Sequence, residues 1–179
     1  MKPVRARYNR IEQLVHEMLV SNSITAAPVP VDVLAKRAGA QVQEHDFKNE
    51  ISGMLLRTNG QQIIAVEASQ HPVRKRFTIA HELGHLLLHQ GEEVRIDTDF
   101  RVNLRSSSSS TAEYVEEIEA NAFAASLLMP EQFLKRDMHN VDYFDIEDAS
   151  HVKRLAGLYK VSAQAMTIRL VNLVNLNRL

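Results

Sequence analysis

Arg76 to His89 reads "RFTIAHELGHLLLH". On a helix at about 100° per residue, with His81 at zero, His85 falls near ~40°, Thr78 near ~60°, His89 near ~80° and Glu82 near ~100°. Phe77, Ile79, Ala80, Leu83, Gly84, Leu86, Leu87 and Leu88 fill the remaining circumference. A helix apolar nearly all round is buried. This one therefore carries a polar stripe into the interior, where unpaired imidazole and carboxylate are costly. It sets the centre of the domain, and its stripe demands partners.

Within it, "HELGH" sets His81 and His85 one turn apart, both within reach of one metal ion, with Glu82 beside them near a metal-bound water. The chain has no cysteine, which excludes disulfides and thiolate sites and leaves any metal to His, Asp or Glu. Zinc fits a His-plus-carboxylate set, with bonds of about 2.0–2.2 Å. The ion would act as Lewis acid on a scissile carbonyl and lower the pKa of its water. Glu82, as general base, would take the proton and pass it to the leaving amine. The bland alternative is a pair of core histidines satisfied by backbone carbonyls. It leaves the neighbouring polar groups still wanting partners.

Two histidines leave a catalytic zinc one protein ligand short. Gly91 stands where a metzincin extension would place its histidine. His89 shares the stripe but lies about 12 Å along the axis from His81. It reads as a residue behind the ligands, as a substrate contact, or as a core histidine. A carboxylate from another helix is wanted, and "AEYVEEIEANAFAASLLMP" (112–130) offers several. With Glu119 at zero on the wheel, Val115, Ala122, Phe123 and Ser126 lie within about 60°, while Glu113, Glu117 and Asn121 face the back. Alanines at 120, 122, 124 and 125 permit close approach to another helix. Glu119 is the expected third ligand, with Glu116 as the alternative.

The bulk numbers agree with a soluble domain. At 179 residues, 45% hydrophobic and 24% charged, the chain can build one real core. No apolar run approaches the ~18 residues of a membrane span. The basic start "MKPVRARYNR" leads into the amphipathic "IEQLVHEMLV", which is no signal-peptide core. A cytoplasmic location is expected. The net charge of −1 hides an asymmetry, since residues 149–179 hold Lys153, Arg154, Lys160, Arg169 and Arg178 but no acid. Such a tail faces an acidic partner or nucleic acid, or is a solvated face.

Along the chain, a helix is predicted from Arg7 to Val20, and a short one over "VDVLAKRAG" with Asp32 as N-cap and Gly39 as stop. Three strands follow, "AQVQEHDF", "ISGMLLRT" and "QQIIAVEA", with Asn59-Gly60 as a hairpin turn between the last two. After the histidine helix, Glu92–Thr111 reads as a mobile linker near the cleft, with five serines at 106–110. Helices are then expected over 112–129, 131–139, 151–159 and 162–174. The fold class is α+β: a small antiparallel sheet flanked by helices, with both metal-binding helices in the core. Residues 1–130 form the metallopeptidase core and 131–179 a helical subdomain.

"RFTIAHELGHLLLH" followed by "EIEANAFAASLLMP" resembles the ImmA/IrrE family of zinc metallopeptidases. The likeness extends upstream to "PVPVDVLAKRAGAQVQEHDF" and "ISGMLLRTNGQQIIAV", and downstream to "LAGLYKVSAQAMTIRL". It implies zinc on His81, His85 and Glu119, with Glu82 as general base. It also implies an endopeptidase that cleaves a helix-turn-helix transcriptional repressor or antitoxin and so relieves repression. Mobile-element or stress genes, and toxin–antitoxin-like gene pairs, are the setting it suggests. One departure is "AVEAS", where Glu67 takes the place of a common Asn.

The tail itself resembles a helix-turn-helix, "LAGLY", a turn at "KVS", then "AQAMTIRLVNL". Its outward positions, about Ala163, Gln164 and Thr167, are poor at reading base edges. Packing or substrate docking is the preferred role. The competing function is a DNA-binding regulator using these basic helices, with a structural metal. A structural zinc closes all four positions with protein ligands, yet only three strong ligands are visible and Glu82 would have no purpose. Glu82 argues equally against an interaction module with a relic site.

Overall fold

The computed structural model describes residues 5–47, 51–58, 60–89, 94–98, 111–139, 145–146 and 148–176, with 97–98 and 111–113 as backbone only. The run Ser106–Ser110, read above as mobile, lies outside the described residues.

Helix α1 (Tyr8–Ser21) buries Ile11, Val15 and Leu19 at four-residue spacing, one stripe of an amphipathic helix. Helix α2 (Val31–Arg37) starts after Pro30, so Asp32 lies in the first turn rather than at the N-cap expected from sequence. There its carboxylate still favours the helix dipole. Gly39 follows the helix end at φ +91°, a left-handed conformation open to glycine, and turns the chain into the sheet.

Strands β1 (Ala40–His45), β2 (Ile51–Thr58) and β3 (Gln61–Glu67) lie where the sequence sets them. Thr58 pairs with Gln61 across the hairpin, and Gly60 takes φ +76° in its turn. The sheet is mixed rather than wholly antiparallel. Its order is β1-β3-β2-β4, and β1 runs parallel to β3 at one edge. The other edge, β4 (Val94–Thr98), falls in the stretch expected to be linker, and pairs antiparallel with β2. "VRIDT" does alternate with period two, but its apolar side faces outward: Val94 is 45% and Ile96 51% exposed. Arg95, the residue between them, is half-buried.

Helix α3 (Pro72–Leu88) begins at a proline in its first position, with the His71 ring accepting from the Val73 N–H. It lies directly on the sheet at Gly53, where a Cβ would collide with the Thr78 methyl and come within 2.9 Å of Glu82 Oε1. Helix α4 (Thr111–Leu128) packs against α3 on one side and α1 on the other. It comes close to α3 at Gly84, where a Cβ would meet Phe123 Cδ1 at 3.1 Å and Ala120 Cα at 3.2 Å.

Helices α5 (Glu131–His139), α6 (Ala149–Tyr159) and α7 (Ala163–Asn175) complete the chain. Asp148 and Ser162 cap the last two by accepting from the Ser150 and Ala165 N–H groups. The Tyr159 hydroxyl donates to Asp137, and Arg169 turns inward to the Met129 carbonyl and to Glu12 of α1. One apolar cluster runs from Ile11 through Leu83 and Phe123 to Leu173. Each of its large side chains contributes about 1.5–3 kcal/mol of burial. Among the described residues no helix is long and apolar enough to cross a membrane.

Candidate metal centre

His81, Glu82 and His85 all lie on the α3 stripe that the sequence set inside, and all three are fully buried. The two Nε2 atoms face one another at 3.0 Å. Across from them stands Glu117 of α4, with Oε2 3.5 Å from His81 Nε2 and Oε1 3.4 Å from His85 Nε2. Among the described residues, these three form a group whose ligating atoms all lie within 4.8 Å of one another. Their separations of 3.0, 3.4 and 3.5 Å are close to the edges of a tetrahedron around zinc with bonds of about 2.0–2.1 Å, whose ligands stand about 3.3 Å apart.

Glu117, set by the wheel at the back of its helix, is thus the carboxylate that meets the imidazoles. Glu119, expected there, lies about 200° around α4 and engages Arg7 and His89 instead. The reason is that α4 is buried on two sides. Glu119 and Ser126 meet the segment at α1, Ser126 donating to Glu12, while Glu117, Ala120, Asn121 and Ala124 share the face toward α3. The legible signal was size. Gly84 and Ala120 let the helix backbones come close, and the face that carries Ala120 and Ala124 also carries Glu117 one turn before Asn121. Glu116, the alternative ligand, pairs with Arg95 of β4 at 3.3 Å.

The surrounding bonds dictate where the protons sit. Asn121 Oδ1 can only accept, so His81 Nδ1, 3.2 Å away, donates to it and leaves Nε2 bare. Glu119 is ionised: the Arg7 guanidinium holds its carboxyl down at about 2, against the opposing effect of burial. His89 Nε2 therefore donates to Glu119 Oε2 at 3.0 Å. Burial keeps His89 below the usual histidine range and hence neutral. Its Nδ1 accepts from His85 Nδ1 at 3.0 Å, which leaves His85 Nε2 bare as well. Burial also brings His85 down to about 4, more than the Glu117 carboxylate restores. Three electron-pair donors thus converge in a buried space, an arrangement that a divalent cation satisfies. His89 takes the place behind the ligands that was one of its three readings.

Two arginines of the sheet also bear on this centre. Arg95 pairs with Glu117 as well as Glu116, so β4 braces the carboxylate. Arg57 of β2 donates to the carbonyls of His85 at 2.9 Å and His89 at 3.3 Å, closing the C-terminal end of α3. Glu67, the departure noted above, ends β3 by accepting from the Ser69 and Phe47 N–H groups. It takes no part in the metal group.

A family model described as Peptidase_M78, IrrE N-terminal-like domain, matches residues 35–171. No curated protein matches the chain. Among solved structures it is similar to a Mycobacterium tuberculosis transcriptional regulator, with a TM-score of 0.60 and 14% identity over 89% of this chain and 46% of that one. The chain thus spans less than half the length of that structure, and the likeness is one of fold.

Proposed function

The chain belongs to the Peptidase_M78, IrrE N-terminal-like family, and we propose that it is a zinc-dependent endopeptidase acting on a helix-turn-helix transcriptional repressor or antitoxin. The observation that carries the metal reading is the convergence of His81 Nε2, His85 Nε2 and the Glu117 carboxylate within 4.8 Å, beside buried Glu82. These three residues would hold the ion, with Glu117 in the role the wheel assigned to Glu119. When bound, zinc supplies a Lewis acid for the scissile carbonyl and lowers the pKa of a water. Glu82 takes the proton of the attacking water and delivers it to the leaving nitrogen as the C–N bond breaks. Asn121 and His89 keep the two imidazoles in the tautomer that presents Nε2.

The substrate rests on the family resemblance, and on a physical consideration: a small protease inside its host must be narrow in specificity. Direct DNA binding by the tail is the weaker reading. Arg169 is engaged within the fold. The outer side of α7 presents Ile168, Val171 and Val174, which cannot read donor and acceptor patterns on base edges. The deciding experiment incubates the protein with zinc and a repressor encoded beside its gene, and reads fragment masses. A discrete cut that chelator abolishes is expected. Absence of fragments, or digestion of unfolded casein at an equal rate, overturns the proposal.

A further inference from the structure

We propose that Arg7, Glu119 and His89 form a positioning chain that aims the imidazole of His85 at the metal. The proposal rests on the metal-site reading above. The chain begins near the surface, where the Arg7 side chain is 42% exposed, and ends in the interior, where Glu119 is 1% exposed. Arg7 spends three donors on this one carboxylate. Its backbone N–H reaches Oε1 at 2.7 Å, Nε reaches Oε1 at 2.9 Å, and Nη2 reaches Oε2 at 2.6 Å. A carboxylate so clamped has one orientation left, and Oε2 accepts from His89 Nε2. Each later link follows from that fixed acceptor: His89 must present a bare Nδ1, and His85 must give its Nδ1 proton to it.

His89 reaches this place because the helix has ended. It lies at the C-cap with φ −123° and ψ 134°, so its ring folds back beside His85 instead of standing two turns beyond His81. Arg57 holds that turn through the His85 and His89 carbonyls. A metal-bound imidazole depends on such an outer partner for its tautomer and ring angle. Here the partner's orientation traces back to a single arginine in the segment before α1.

The test measures zinc affinity of the full chain by competition with a chromophoric chelator, alongside unfolding of the metal-free protein. His89→Phe fills the same space without either hydrogen bond and is expected to weaken zinc binding by about 10–100-fold. His89→Gln keeps one acceptor and one donor, and should recover most of that loss. Arg7→Ala, at the exposed end, should weaken zinc binding severalfold. A merely structural role would lower the unfolding midpoint of both His89 variants alike and give no such recovery. Zinc binding by His89→Phe as tight as wild type overturns the proposal. If that variant does not fold, unchanged affinity in Arg7→Ala overturns it instead. Should the wild-type chain bind no zinc, the metal-site reading falls and the positioning chain with it. A relay failure alone leaves wild-type binding intact.

Discussion

Asn121 Oδ1 lies 3.2 Å from Nδ1 of His81, one helical turn beyond Glu117 on the same face of α4. One helix thus supplies both a carboxylate for the metal group and the acceptor that orients its first imidazole. The pairing separates the roles of the carboxylates around this centre, and each role has a measurable consequence.

Glu117→Gln should remove zinc more completely than Glu119→Gln. Loss of an outer partner costs about 10–100-fold in metal affinity, so loss of a ligand should exceed that range. Zinc stoichiometry after dialysis, followed by chelator competition, ranks the two. The reverse ranking would return the ligand role to Glu119 and refute the assignment drawn from geometry.

Glu82→Gln should retain zinc and the fold while losing cleavage by at least about 10²-fold, the lower range of general acid–base catalysis. Metal analysis and fragment masses on one preparation give both readings. A variant that arrives without metal would contradict the division between base and ligand.

Acid should weaken the metal-free protein in two successive windows. The unfolded chain protonates His85 near 6.5, whereas the folded chain does so only near 4. Between these values the unfolded state binds more protons, so stability falls as pH drops through that range. Glu119 is held at about 2, against 4.5 for the free group, so the stability from its Arg7 pair is present above about 4.5 and lost on the way to about 2. Denaturant midpoints across pH, with chelator present, trace both. A Glu119→Gln variant whose lower window is unchanged from wild type would count against the second assignment.

Gly84→Val should destabilise by about 1–3 kcal/mol, the usual cost of forcing extra carbon into a packed core. The obstruction is the Ala120 backbone, which has no rotamer to change. Since Gly84 lies between His81 and His85, separation of the helices should also pull Glu117 from the imidazoles. Thermal unfolding and zinc affinity should decline together; normal zinc affinity in a destabilised variant would show that the close approach does not set the site.

Much of this molecule was legible along the chain because the relevant physics is local. A 3.6-residue period with a polar stripe makes α3 a buried helix bearing His81, Glu82 and His85, whatever surrounds it. Alternation and Asn59-Gly60 likewise write the β2–β3 hairpin into adjacent residues. The third carboxylate is different. Helix α4 is buried against both α1 and α3, so its periodicity offers two inward faces, and only the contact of Gly84 with Ala120 selects the one bearing Glu117. Strand β4 was hidden for a related reason: as an edge strand it turns Val94 and Ile96 outward and Arg95 toward the site, so its apolar pattern does not mark a core. Arg7 acts across 112 residues of sequence. No local pattern records such a contact, because it exists only once the helices have packed.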